Sequence, residues 1–258
     1  MRKQYLTIAL VLVTLLNQNL FAWGKLGHKT VAYIAQEKLK PKTLAKAKRI
    51  LNGQDLVSVA VWADTIKFQR PETRGWHFID VPVSDPSPDL ANYCKGDNCI
   101  TAKIDYFKEV LKSNQFTPDQ KEEALKFVVH LVGDVFQPLH CAEDNHDKGG
   151  NGKQVRFEGL KMNLHSLWDS VIQKHDKGDE RDLAALIEKE CQASVVYDTI
   201  QDCALASHNI AATVIYPEHY RLNGVYDKDY EVKMQKIAHQ QIYNAGVQLA
   251  DILEDCLK

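Results

Sequence analysis

TPDQKEEALKFVVHLVGDVFQPLH, residues 117–140, decides the fold. Thr117 and Gln120 form a capping box with Pro118 at the first helical position, so a helix opens here and runs to about Phe136 before Pro138 stops it. His130 and Asp134 are four apart on this helix and project from one face about 5–6 Å apart at Cβ, so the pair can bind one metal ion. Val128, Val129, Leu131 and Val132 surround His130. A carboxylate in such apolar surroundings is costly to leave unpaired.

Helical periodicity continues on both sides. Apolar residues recur at three and four spacing over Val31 to Leu39, Leu44 to Leu51 behind Pro41, Val57 to Phe68 and Ile100 to Leu111. A loop with three prolines occupies residues 81–98. Val155 and Phe157 alternate with polar neighbours in the glycine-rich stretch 149–159, which predicts a short β-hairpin. Beyond it the pattern predicts helices over Leu164 to Lys174, Asp182 to Gln192, Val195 to Ile215 and Tyr230 to Leu257, with a break at Tyr216-Pro217. The expectation is one mainly α domain over residues 23–258.

The 258 residues are 45% hydrophobic and 26% charged, which excludes disordered and collagen-like chains. Lys+Arg at 32 against Asp+Glu at 34 leaves no bulk basic field for duplex nucleic acid, so an anionic substrate needs a local source of positive charge. Arg2 and Lys3, the apolar run Leu6 to Leu16 and the small Ala22 predict a cleaved secretory signal peptide over residues 1–22 and an exported protein, periplasmic or extracellular. The apolar run is well short of the roughly 20 residues of a spanning helix, so no membrane association follows cleavage. In an oxidising compartment the even count of six cysteines favours disulfides. Cys94 and Cys99 suggest a local bridge; Cys141, Cys191, Cys203 and Cys256 allow three pairings, with Cys256 expected to tie the last helix to the body.

A second His-x-x-x-Asp pair, His165 and Asp169, follows on the next predicted helix. One such pair is commonly an ion pair on a solvated helix face. Two on adjacent helices, with His140, His77, Asp64 and His28 close to the motifs, propose a multinuclear zinc site of five histidines and three aspartates. Cleavage after Ala22 would add the free amine of Trp23 as a further nitrogen ligand. His146, His175, His208, His219 and His239 fall outside every motif and suit surface or hydrogen-bonded core roles.

WGKLGH at 23–28, WAD at 62–64, WHFID at 76–80, HLVGDVFQPLH at 130–140, GGN at 149–151 and NLHSLWD at 163–169 together make the mature chain resemble the trinuclear-zinc single-strand nucleases of fungi and plants, the nuclease S1/P1 family. The resemblance implies a helical bundle of the zinc phospholipase C and single-strand nuclease type, with three zinc ions per chain. It assigns His130, Asp134, Asp64 and His77 to one zinc, Trp23 (amine and carbonyl), His28 and the bridging Asp134 to a second, and His140, His165 and Asp169 to the third. Asp64 and Asp134 are the implied catalytic carboxylates, around a zinc-activated bridging hydroxide that attacks phosphorus. Phe78 would stack on a nucleobase, Asp80 would accept from its edge, and Asn151 would contact the phosphate or orient a neighbour. The alternative for Phe78 is a core aromatic. Lys67, Arg70, Arg74 and Lys153 are candidate cationic helpers. The implied activity is hydrolysis of single-stranded DNA and RNA to 5′-phosphorylated products, with 3′-mononucleotides as further substrates and no obligate protein partner.

Two other readings compete. A zinc-dependent phospholipase C shares the fold and an N-terminal Trp ligand, but its Trp-to-His spacing is longer than that between Trp23 and His28, and its last ligand is Glu where this chain has Asp169. An exported zinc-binding or nucleic-acid-binding protein without catalysis would use structural metal, which is normally closed by four protein ligands, whereas the third set here offers three.

Overall fold

The computed structural model describes residues 23–170, 178–191 and 193–258. The proposed leader and His175 lie outside them. At the centre is α6 (Pro118–Val135), opened by the predicted capping box: Gln120 N–H donates to Thr117 Oγ1 and Thr117 N–H to Gln120 Oε1. Every residue from Phe127 to Val135 is buried, so this stretch meets protein on all sides. Around it pack α1 (Gly24–Lys38), α2 (Pro41–Ile50), α3 (Leu56–Val59), α4 (Trp62–Ile66), α5 (Ile100–Lys112), α9 (Ile200–Ile210) and α11 (Lys228–Cys256). The buried apolar side chains form one cluster running from Trp23 to Leu257. The architecture is mainly α, as expected, and among the described residues no helix is long and apolar enough to cross a membrane.

Differences from the expected elements have identifiable causes, several of them contacts distant in sequence. Helix α1 begins at Gly24, not Val31, and so carries His28; Gly24 to Gly27 show no apolar period, but Trp23 is fully buried and its Nε1–H donates to Gly133 O at 2.8 Å. The predicted helix over 57–68 is two short ones, and the interruption leaves the Ala60 carbonyl outside either helix. Residues 195–199 are not helical, because side chains of α11 take their amides: Val195 N–H donates to Asn244 Oδ1 and Tyr197 N–H to Gln248 Oε1. The chain does not break at Pro217. A π-helical turn over Ala211–Ile215 leads directly into α10 (Tyr216–Arg221), a widened turn standing where an α-helical ladder would need the N–H that proline lacks.

The predicted hairpin is β1 (Gln154–Phe157) and β2 (Leu160–Asn163), antiparallel with Val155 opposite Met162. A two-residue strand, β3 (Val225–Tyr226), pairs parallel with β1 and completes a sheet of order β2-β1-β3. It is too short to leave a period in the sequence. Helix α7 (Leu164–Ser170) follows β2 directly, and the rest of the expected helix to Lys174 lies outside the described residues. Helix α8 (Glu180–Glu190) starts ahead of Asp182 because Asp179 and Asp182 form a second capping box; Gln192 is not described.

Cys94 and Cys99 are bridged, as expected. The other cysteines correct the sequence reading, since Cys141, Cys191, Cys203 and Cys256 are buried thiols. Cys141 Sγ donates to Val135 O, Cys203 Sγ to Thr199 O, and burial pushes the Cys203 thiol up to about 12 and that of Cys256 to about 11. Instead of a bridge at Cys256, close packing holds the last helix: a Cβ on Gly246 of α11 would lie 2.5 Å from Ile34 Cγ2 of α1.

Candidate metal centre

Four elements, α6 among them, aim side chains at one point. The helix contributes His130 and Asp134 from adjacent turns, α1 contributes His28, α4 contributes Asp64, and the 3₁₀ turn Pro71–His77 contributes His77. The Asp134 carboxylate lies at the middle: His28 Nε2 is 3.2 Å from Oδ1, His130 Nε2 is 3.2 Å from Oδ2, and His77 Nδ1–H donates to Oδ2 at 2.8 Å. His130 Nε2 is also 3.7 Å from Asp64 Oδ1. The His28 and His130 rings stack with centroids 3.9 Å apart. Only a glycine at 133 lets this happen, because a Cβ there would stand 2.9 Å from His28 Nδ1.

A second focus lies past the end of α6. His140, on the turn Pro138–His140, faces His165 and Asp169 of α7; the two rings have centroids 4.9 Å apart, and His165 Nε2 is 3.5 Å from Asp169 Oδ2. Within each of the groups His28–His130–Asp134, Asp64–His77–His130 and His140–His165–Asp169, one potential ligand atom per residue lies within 4.8 Å of the others. All eight side chains named from the sequence thus fall into three groups, and none of the remaining described histidines joins them. His146 is exposed beside Glu143, His208 faces two carbonyls, His219 contacts the Tyr226 hydroxyl, and His239 contacts Glu190.

The donor set fits divalent metal. Buried and without a hydrogen-bond partner are Nε2 of His28, His77, His130 and His140, with Asp64 Oδ2, Asp134 Oδ1 and Asp169 Oδ2. Buried polar atoms are normally satisfied, and so many lone pairs converging on three foci call for cations. The far side of each ring explains its aim: Nδ1–H of His130, His140 and His165 donates to the carbonyls of Ala60, His77 and Gly149, each at 2.7 Å. A carbonyl can only accept, so each Nδ1 carries a proton, and Nε2 presents a lone pair whenever the ring is neutral, the usual outer-shell arrangement of ligating histidine. Those carbonyls left no mark in the sequence. Gly149 is recognisable as glycine for a physical reason, since at φ 63° a Cβ would lie 2.2 Å from Leu139 O.

Charge follows burial. Desolvation lowers His28, with the neighbouring His130 adding to the effect, and pushes His140 down to about 3. At His130 burial is outweighed by the carboxylates of Asp134 and Asp64, which hold it up at about 9. Burial of Asp134 is likewise outweighed, chiefly by His130, and its carboxyl stays well below the usual range. Asp169 is pushed up to about 6 by burial.

The other named residues differ in burial and partners. Trp23 is buried at the start of α1, with its backbone carbonyl accepting from Gly27 N–H. Phe78, next to His77, is 39% exposed and so is not a core aromatic. Asp80 is half-buried, and burial together with the nearby Glu143 and Asp147 pushes its carboxyl up to about 6. Asn151 donates from Nδ2 to Lys148 O at 2.8 Å, leaving Oδ1 as a buried acceptor. Of the four basic candidates, Lys67 reaches the centre, with Nζ 2.6 Å from Asp64 Oδ1. Arg70 pairs with Glu72 and Glu123, Arg74 contacts the Lys67 carbonyl, and Lys153 contacts Asp144 and the Tyr220 hydroxyl. Gln137, which the sequence did not single out, is fully buried and donates from Nε2 to Asp169 Oδ1 at 2.8 Å.

A mainly α fold whose central helix carries such a His/Asp centre has known relatives. The family model S1/P1 Nuclease matches residues 23–258, and this chain belongs to that family. Nuclease S1 of Aspergillus oryzae is 36% identical over 173 residues, 63% of this chain and 58% of its own length. Nuclease P1 of Penicillium citrinum is 32% identical over 189 residues, 69% and 67% of the two chains. Endonuclease 4 of Arabidopsis thaliana is 35% identical over 185 residues, 66% and 61% of the two. The matched region therefore spans 58% to 67% of the length of these relatives.

Proposed function

We propose that this protein is an exported, zinc-dependent nuclease that hydrolyses single-stranded DNA and RNA to 5′-phosphorylated products and also dephosphorylates 3′-mononucleotides. The observation that carries the reading is the set of three His/Asp groups with unpartnered lone pairs around Asp134 and Asp169, in a chain of the S1/P1 nuclease family. His130, Asp134, Asp64 and His77 would hold one ion, His28 and Asp134 with the backbone of Trp23 a second, and His140, His165 and Asp169 the third. When bound, zinc supplies Lewis acidity toward a phosphodiester, lowers the pKa of water and concentrates positive charge on phosphate.

The chain's own residues supply orientation and selection. Asp134 holds His28, His77 and His130 around one carboxylate, so those rings are set before substrate arrives. Phe78 offers an exposed ring beside His77, and a ring face accepts any unstacked base, which selects single strands without reading a groove. Asp80 accepts from the base edge. Lys67 balances Asp64 and keeps an ammonium beside the centre. Residues 1–22 direct export and are removed.

The test is incubation of protein beginning at Trp23, loaded with zinc, with single-stranded DNA, RNA or a 3′-mononucleotide, beside a chelated sample. Chelator-sensitive release of 5′-mononucleotides from the polymers and of inorganic phosphate from the mononucleotide is the expected result. Full zinc occupancy without cleavage at acidic or neutral pH would overturn it.

A further inference from the structure

We infer that Gln137 is the positioning residue of the His140–His165–Asp169 group, setting two of its three ligands at once; the inference rests on the metal reading above and deepens it. Gln137 follows α6, fully buried, and all four of its polar groups are committed. Its backbone N–H donates to Asp134 O at 2.9 Å and its carbonyl accepts His140 N–H at 2.9 Å. Its side-chain Oε1 accepts Leu139 N–H at 2.6 Å, capping the short turn that presents His140. Its Nε2 donates to Asp169 Oδ1 at 2.8 Å.

The amide's direction is not arbitrary. Leu139 N–H can only donate, so Oε1 must face it and the NH₂ end must face Asp169. With Oδ1 of Asp169 engaged, Oδ2 is left without a partner and points toward His165 Nε2, 3.5 Å away. A carboxylate that could rotate would present either oxygen; this one presents a chosen oxygen. His140 Nε2, also unpartnered, completes the group from the turn that the same side chain caps. The neighbouring foci do not use the Gln137 side chain, so its effect belongs to the third group.

Gln137→Met keeps length and volume while removing both side-chain hydrogen bonds. Protein beginning at Trp23 is equilibrated with zinc against a graded chelator, and bound zinc is counted by elemental analysis. The parent should hold three ions, and the variant should release one of them at about 10- to 100-fold lower chelator strength, the loss typical of an outer-shell partner, while the other two stay in place. The melting temperatures of the metal-free parent and variant should fall much less far apart than their third-site affinities. In an Asp169→Asn background the Gln137→Met change should cost less third-site affinity than in the parent, because only its effect through the His140 turn remains. Should Gln137→Met fail to fold, Gln137→Asn, one methylene short of Asp169, goes through the same titration with the same expected loss. Unchanged release of all three ions, or equal weakening of all three, would overturn the assignment. A parent that never holds three ions would instead refute the trinuclear reading itself.

Discussion

Four imidazoles, those of His28, His77, His130 and His140, lie within 4.0 Å of the Asp134 carboxylate, which makes that residue the one whose removal is felt most widely. Asp134→Ala should therefore cost zinc from two of the three groups together, and cleavage should fall at least about 100- to 1000-fold, the order seen when one preorganised electrostatic group is lost. Zinc counting and single-turnover cleavage check this, and full activity in the variant would sink the central role. Phe78 stands at the opposite extreme, an exposed ring directly after the buried His77. If it serves as a stacking platform, Phe78→Ala loses about 1–3 kcal/mol of base contact and raises KM more than it lowers kcat. The reverse split would place the ring in transition-state alignment. These two positions were both legible as residues, because His-x-x-x-Asp spacing and an aromatic after a ligand leave marks in the chain. The carbonyls of Ala60, His77 and Gly149 were not, since any residue has a carbonyl and its aim is decided by tertiary structure.

At the scale of helices, two glycines separate packing from chemistry. Gly133→Ala on α6 gains up to about 1 kcal/mol of helix propensity, but its Cβ would press on His28 Nδ1 at 2.9 Å inside the metal-binding cluster. The expected result is a modest change in melting temperature and a clear loss of zinc from the His28 group. Gly246→Ala on α11 would press on Ile34 Cγ2 at 2.5 Å and Cβ at 2.7 Å, away from any ligand, so it should cost about 1–3 kcal/mol of stability by overpacking and leave zinc content intact. Chelator titration and thermal melts on both variants check the contrast, and identical behaviour would show that His28 is not held by its fit against α6. The same scale shows where sequence reading succeeds. Helix α6 was legible because capping box, Pro118 and apolar pattern all agree, while the split between α3 and α4 was hidden beneath a continuous period. That split frees the Ala60 carbonyl for His130, so what looks like an irregular helix is a requirement of the centre. Strand β3 was hidden for a simpler reason: it is set by a partner distant in sequence.

For the molecule as a whole, the proposed function asks a chain of formal net charge −2 to hold polyanionic substrate, and three divalent ions would provide the positive charge that its composition does not. Where the chain starts then bears on that supply. Trp23 stands at the head of α1, buried to 0% exposure, its indole held to Gly133 O and its carbonyl to Gly27 N–H. The residue is thus anchored to Gly133, the neighbour of Asp134, and to Gly27, the neighbour of His28. As a chain terminus its nitrogen is an amine that can lose its proton and offer a lone pair; as an internal residue the same nitrogen is an amide, which cannot coordinate in that way. Protein beginning at Trp23 should therefore bind three zinc ions, and protein extended by a single Gly before Trp23 should bind the ion of the His28 group at least tenfold more weakly. The packing that holds Trp23 is unchanged by one extra residue, so the melting temperatures of the two metal-free forms should agree within a few degrees. Equal zinc affinity in both forms would remove the terminal amine from the ligand set and leave His28, Asp134 and the Trp23 carbonyl as the protein groups of that ion.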